Sequence, residues 1–170
     1  MQKTYRLIII ALFGSIMFTT RLFVPPPISS LLIVVDAMLF ALSTLFVKTA
    51  GATLVGLVGG VLTGISSPSL IPFSIIYTFL YGILVDVFVL ILKVKPTSQG
   101  VNRNRLIAAT AISTMLIGLT TYYANTVFPQ ILQRNMALDM MVAFMGPAVG
   151  ATAGYAAAYL WNKYLKSVPL

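Results

Sequence analysis

The chain has 170 residues, of which 59% are hydrophobic and 8% charged, with a formal net charge of +8. A soluble domain carries roughly 25% charged residues, so this chain has too few charges to cover a water-facing surface and reads as one integral membrane domain, residues 1–170. It has no Cys, His or Glu, and its carboxylates are Asp36, Asp86 and Asp139. Thiolate and imidazole chemistry, most zinc sites and Ser-His-Asp hydrolysis are excluded, and neither a cofactor nor a metal is expected. The positive balance points to loops facing anionic lipid rather than to nucleic acid.

Hydrophobic patterning predicts an all-α, polytopic bundle of six transmembrane helices. The first span covers about 5–24 and is stopped by Pro25-Pro26-Pro27. Lys3 and Arg6 before this stretch also resemble the start of a signal peptide. Its length, its proline stop and the further spans argue for a retained helix. The second span covers 30–47, and the third covers 50–65 and ends at Ser66-Ser67-Pro68. The fourth covers 70–92, the fifth 106–126 and the sixth 136–161. The polar stretch KVKPTSQGVNRNR, residues 93–105, separates spans four and five.

Lys and Arg set the expected orientation. With both termini in the cytoplasm, Lys3, Arg6, Lys48, Lys93, Lys95, Arg103, Arg105, Lys163 and Lys166 lie inside, while Arg21 and Arg134 lie outside. That asymmetry follows the positive-inside rule. Trp161 and Tyr164 fall where an inner aromatic belt is expected.

Small residues at four-residue spacing let membrane helices approach closely. Span three carries Gly56, Gly60 and Gly64, with Gly59 beside them; span six carries Gly146, Gly150, Gly154 and Ala158. Span one offers Ala11 and Ser15 beside Gly14. The plain reading of these stripes is internal packing, and the sharper one is docking of a second membrane protein through Ala11, Ser15, Gly56 and Gly60. Pro147 is expected to kink span six.

Polar residues from several spans share one depth near the outer leaflet: Arg21, Asp36, Tyr77, Tyr81, Tyr122, Asn125 and Asp139. Ionisable groups inside a membrane are costly and face the protein interior. Their convergence predicts an outward-opening pocket with apolar walls and a few polar groups, the composition of a small-molecule site. The alternative is that Arg21 only pairs with Asp36 or Asp139 to hold helices together. Asp86, one turn after Gly82, is expected to face Lys48, Lys93 or a helix end, in a structural or coupling role.

The stretch AGATLVGLVGGVLTGI (50–65), a Pro loop, and then YTFLYGILVDVF (77–88) with its Gly82-x-x-x-Asp86 element resemble spans three and four of the substrate-binding (S) components of energy-coupling factor transporters, vitamin type. Ala11-x-x-x-Ser15 stands where that family carries an AxxxA docking motif, with Ser in place of the second Ala. The resemblance implies capture of a vitamin or vitamin precursor from outside, in a pocket capped by the loop after span one. It also implies a transmembrane coupling subunit and two ABC-type ATPases as partners, together with membrane lipids. Cobalt and nickel members use an N-terminal Met-His ligand set; this chain begins Met1-Gln2. Among vitamin members, a thiamine-precursor or similar heteroaromatic substrate fits Tyr walls with carboxylates. Two other readings compete: an accessory subunit of a larger membrane complex with no ligand of its own, and a membrane transferase. The transferase ranks last, because the chain has no DxxD-type cluster and no His base.

Overall fold

The structure, a computed structural model, describes residues 3–23, 32–48, 50–66, 71–97, 99–127 and 136–166. The triple-proline loop and Arg134 lie outside the described residues, as do the side chains of Asn125 and Asp139. Six helices follow one another: α1 (Lys3–Phe23), α2 (Leu32–Val47), α3 (Gly51–Ser66), α4 (Ile71–Ile91), α5 (Arg103–Val127) and α6 (Met136–Leu160). A single π-turn, Trp161–Leu165, prolongs α6. The fold is all-α and matches the predicted six segments within a few residues.

α5 begins earlier than hydropathy predicts. The Asn102 side-chain oxygen accepts the Arg105 backbone N–H at 3.2 Å, an N-cap that draws Arg103 and Arg105 into the first helical turn. Helices α1, α4, α5 and α6 are long and apolar enough to cross a membrane, and their dimensions and composition are those of a membrane protein. α2 and α3 have 16 residues each. At 1.5 Å per residue they rise about 24 Å, less than a hydrocarbon core of about 30 Å.

α2 is short because it is the core. It packs against all five other helices, while α1, α3, α4, α5 and α6 follow one another around it. From Asp36 to Val47 every residue but Met38 is buried. A helix that is apolar on all sides needs such surroundings. Its buried hydroxyls are satisfied: Ser43 donates to the Phe40 carbonyl at 2.8 Å, and Thr44 gives its one proton to the Asp86 carboxylate of α4 at 2.8 Å. The outward faces are apolar instead, with Leu7, Ile8, Leu12 and Phe23 on α1 and Met140, Met141, Phe144 and Met145 on α6.

The glycine stripes are absorbed inside the chain. A Cβ on Gly56 would lie 2.6 Å from the Thr78 carbonyl oxygen, and one on Gly60 3.2 Å from Ile75 Cα. Both residues are therefore covered by α4, and of the four docking candidates only Ala11 and Ser15 are exposed. Gly150 and Gly154 meet the backbone of α5 around Ala111 and Ile107. Gly14 of α1 faces Val58 and Gly59 of α3.

The α2–α3 turn shows why Gly82 and Asp86 belong together. Lys48 and Ala50 take positive φ, 64° and 53°, a left-handed conformation that costs a residue with a Cβ roughly 1–2 kcal/mol. The turn leaves the first N–H groups of α3 without intrahelical partners. Asp86 of α4 supplies them. One carboxylate oxygen accepts Ala52 N–H at 3.2 Å and the Thr44 hydroxyl at 2.8 Å. The other accepts Thr53 N–H at 2.8 Å and its hydroxyl at 2.7 Å. Gly82, one turn earlier, lets α4 close on the Ala52–Thr53 backbone. Of the surroundings expected for Asp86, the helix end is the one observed: it caps α3 from another helix, where the positive end of the dipole favours its charge.

Trp161 departs from the expected belt position. The π-turn, closed by Lys166 N–H to the Trp161 carbonyl at 2.9 Å, leaves Trp161 1% exposed, edge-on to Phe46 at 5.0 Å. Tyr164 stays exposed. The next side chain, Asn162, accepts Val101 N–H at 2.7 Å and donates to its carbonyl at 3.1 Å. The α4–α5 loop is thereby fastened to the end of α6.

Two stability tests follow from these contacts. Asp86→Ala strands two backbone N–H groups and the Thr53 hydroxyl, while Thr44 can turn to the Phe40 carbonyl at 3.0 Å; it is expected to lower unfolding stability by about 3 kcal/mol, measured by thermal or denaturant unfolding in detergent, with Asp86→Asn intermediate. Among the glycines of α3, Gly56→Ala should destabilise most, Gly60→Ala less and Gly59→Ala least, because the Gly59 Cβ position has 3.4 Å of clearance. Equal losses in the three variants would contradict the α3–α4 packing.

Candidate functional site

Where α1 ends, α2 begins. The chain reverses at this end of the bundle, so the last turn of α1 meets the first turns of α2 and the first half of α4. Arg21 reaches across this junction. Its Nη2 donates to Asp36 Oδ2 at 2.7 Å and its Nε to the same oxygen at 3.1 Å. Both short bonds converge on one oxygen. The third contact is longer, from Nη1 to the Thr78 hydroxyl at 3.5 Å. Thr78 gives its own proton to the Ser74 carbonyl at 2.7 Å, which leaves its oxygen to accept.

Asp36 is 1% exposed. Its second oxygen, Oδ1, is buried and has no hydrogen-bond partner among the described residues. An ionised carboxylate has about four acceptor positions, and burial without a donor is costly. Arg21 is less buried, its side chain 31% exposed. The site is therefore a carboxylate sealed in the core with its cation set on the rim.

One turn along α2, Phe40 meets Tyr81 edge to face at 4.9 Å. Tyr81 is buried and shares a 2.6 Å hydrogen bond with the Thr114 hydroxyl of α5. Thr114 in turn donates to the Thr110 carbonyl at 2.8 Å, so in that pair Tyr81 is the donor. These groups line up from the rim inward: Arg21, Asp36, then the Phe40–Tyr81 pair, then Thr114.

Of the predicted site residues, the structure joins Arg21 and Asp36 directly and sets Tyr81 next to them. Tyr77 is half-buried and stacks on Phe73 of its own helix at 6.1 Å. Tyr122 is buried and meets Tyr123 edge to face at 5.4 Å. Asn125 and Asp139 lie on α5 and α6 at the same end of the bundle, with side chains outside the described set. Two contributors were missed in the sequence, Thr78 and Thr114. Each is one hydroxyl among other small polar residues on a membrane-length helix, and Thr78 lies one turn before Gly82. Small polar residues in apolar helices satisfy their own helix so often that spacing alone does not single them out. Among the described residues no cluster of side chains suits a metal ion.

Compared with protein-family models, with curated proteins and with solved structures, the chain matches none.

The ion pair carries its own test. Removing one partner of a buried pair leaves the other uncompensated and costs about 3–5 kcal/mol, whereas replacing both with apolar groups is close to neutral. Arg21→Leu should therefore destabilise more than the double variant Arg21→Leu/Asp36→Leu, read as unfolding midpoints in one detergent. A double variant no more stable than the single one would mean that the two side chains are not coupled.

Proposed function

We propose that this chain is the substrate-binding subunit of a micronutrient uptake transporter in the cell membrane. It crosses the plasma membrane with six helices and keeps both termini in the cytoplasm. It captures a vitamin or vitamin precursor, of thiamine-related chemistry, at the outer face. A transmembrane coupling subunit and two ABC-type ATPases then complete transport. The chain itself binds and is not an enzyme.

The observation that carries this reading is the second oxygen of Asp36: a buried carboxylate acceptor with no donor among the described residues, beside a guanidinium and a hydroxyl. With Arg21 drawn aside at the rim, a ligand bearing an N–H group or a cationic ring would reach that oxygen, and an acceptor on the same ligand would meet Arg21. Phe40 and Tyr81 would supply the apolar and aromatic wall. The resemblance of residues 50–65 and 77–88 to vitamin-type S components, and the Lys/Arg asymmetry between the two ends, support the topology and the partners. Ala11 and Ser15, exposed on α1, are where the coupling subunit would dock.

The ion pair itself favours one other reading, in which the chain is an accessory subunit of a larger membrane complex and Arg21–Asp36 only fastens α1 to α2. Gentle purification from native membranes, with mass spectrometry of co-purifying proteins and released small molecules, separates the two. The transporter reading expects a vitamin-like compound near one-to-one and ATPase subunits. Asp36→Asn should then weaken that compound at least about tenfold, the loss of one hydrogen bond to a charged group, while assembly survives. Recovery in an unrelated complex with lipid alone, or an Asp36→Asn effect confined to assembly, would favour the accessory subunit.

A further inference from the structure

The sequence concentrates nine cations at one end of the bundle and few carboxylates. Of the three carboxylates, Asp36 belongs to the opposite end, paired with Arg21. Asp139, near the start of α6, also belongs to that end. Asp86 is at the basic end but is taken up by the backbone and hydroxyls of α3 and by Thr44. By sequence this end therefore carries a net positive charge.

The outer face of α6 gives that charge a definite place. Tyr155, Tyr159 and Lys163 follow at four-residue spacing, one above another on a single helix face. All three are exposed. The Arg103 guanidinium, from the first turn of α5, lies over the Tyr155 ring, 4.0 Å from its centre. Lys163 reaches back to donate to the Tyr159 hydroxyl at 2.8 Å and sits 5.2 Å from the ring centres of both Tyr159 and Tyr164. A guanidinium resting on a ring keeps its in-plane N–H edge open. An ammonium that donates once retains two further protons. The rings that hold them belong to Tyr155 and Tyr159, one helical turn apart, an axial rise of about 6 Å. Tyrosines at such a position belong to the headgroup level of a bilayer.

We propose that this face seats the phosphodiester headgroup of an anionic phospholipid, held between Arg103 and Lys163, with Tyr155 and Tyr159 against the glycerol and upper acyl region. The occupant is a lipid rather than a free anion because the cations sit on the outward face of a membrane helix, above its apolar surface. Tyrosine rings also fix them there, where a soluble ion would find no apolar contact.

The test uses full-length protein in detergent, titrated with dioleoyl phosphatidylglycerol or dioleoyl phosphatidylcholine, with bound lipid counted by native mass spectrometry. The wild type should retain one phosphatidylglycerol in preference to phosphatidylcholine. Arg103→Gln/Lys163→Gln should weaken retention about fivefold for each charge removed. Tyr155→Leu/Tyr159→Leu should also weaken it, with the charge unchanged. Lys93→Gln/Lys95→Gln, which removes the same charge from elsewhere at this end, should leave it intact. The seat is overturned if the wild type shows no headgroup preference, or if the Lys93/Lys95 variant loses as much as the Arg103/Lys163 variant. It is also overturned if millimolar inorganic phosphate displaces the lipid, because the site would then serve a soluble anion. The comparison of lipids on the wild type alone decides the matter should the double variant fail to fold.

Discussion

A carboxylate inside an apolar helix bundle must find either a cation or several oriented donors, and the packing of this chain follows from how two of them do so. Asp36 takes a guanidinium from the neighbouring helix. Asp86 takes the open N-terminus of α3 together with two hydroxyls. The two sites are linked through α2. Asp36 stands near its start, and Thr44, which donates to Asp86, stands eight residues later, about 12 Å along the axis. An α-helix turns by about 100° per residue. Sliding α2 one residue along α1 would therefore swing Asp36 away from Arg21 and Thr44 away from Asp86 at once. A buried ion pair adds little net stability over an apolar pair of the same size. Its effect here is on register: it favours the arrangement of α1, α2 and α4 in which Arg21 meets Asp36.

The glycines act on the same geometry by distance rather than by charge. α3 and α4 come close enough at Gly56, Gly60 and Gly82 for main chain to touch main chain. That approach puts Thr78 beside Arg21 at one end and Asp86 over the α3 N-terminus at the other. The proposed ligand site and the helix cap thus depend on a single interface. A side chain added at Gly56 would disturb both, pressing on Thr78 and Phe40 of the site directly and on the cap through the shared interface.

Much of this was legible in the sequence. Six apolar segments separated by Pro and charged residues place six helices, because hydrophobic length is a direct physical signal in a membrane chain. Arg21 and Asp36 could be matched by depth, and Asp86 could be separated from them for the same reason. Other features were not legible, because they depend on rotation about helix axes. Gly56 and Gly60 favoured internal packing over a partner by spacing, but which helix covered them was not readable. Trp161 has the sequence position of a belt residue, but one π-turn rolls it into the core against Phe46. Tyr77, Tyr81 and Tyr122 share a depth, which does not reveal that Tyr81 packs on Phe40, one turn from Asp36. The hydroxyls of Thr78 and Thr114 carry no sequence mark that separates them from other self-satisfied threonines.

The pairing of Asp36 and Asp86 with their neighbours also has a consequence for biogenesis. α2 brings a carboxylate into the bilayer and is too short and too enclosed to face lipid alone. Its cation, Arg21, lies on α1, the helix synthesised just before it. α3 arrives with an uncapped N-terminus, and its cap lies on α4, the helix synthesised just after it. Each polar liability is therefore answered by an adjacent helix in the order of translation. The first four helices can be handed to the bilayer as two successive hairpin-like steps, without waiting for α5 or α6. The interval of exposure is shortest for the two helices least fit to meet lipid by themselves.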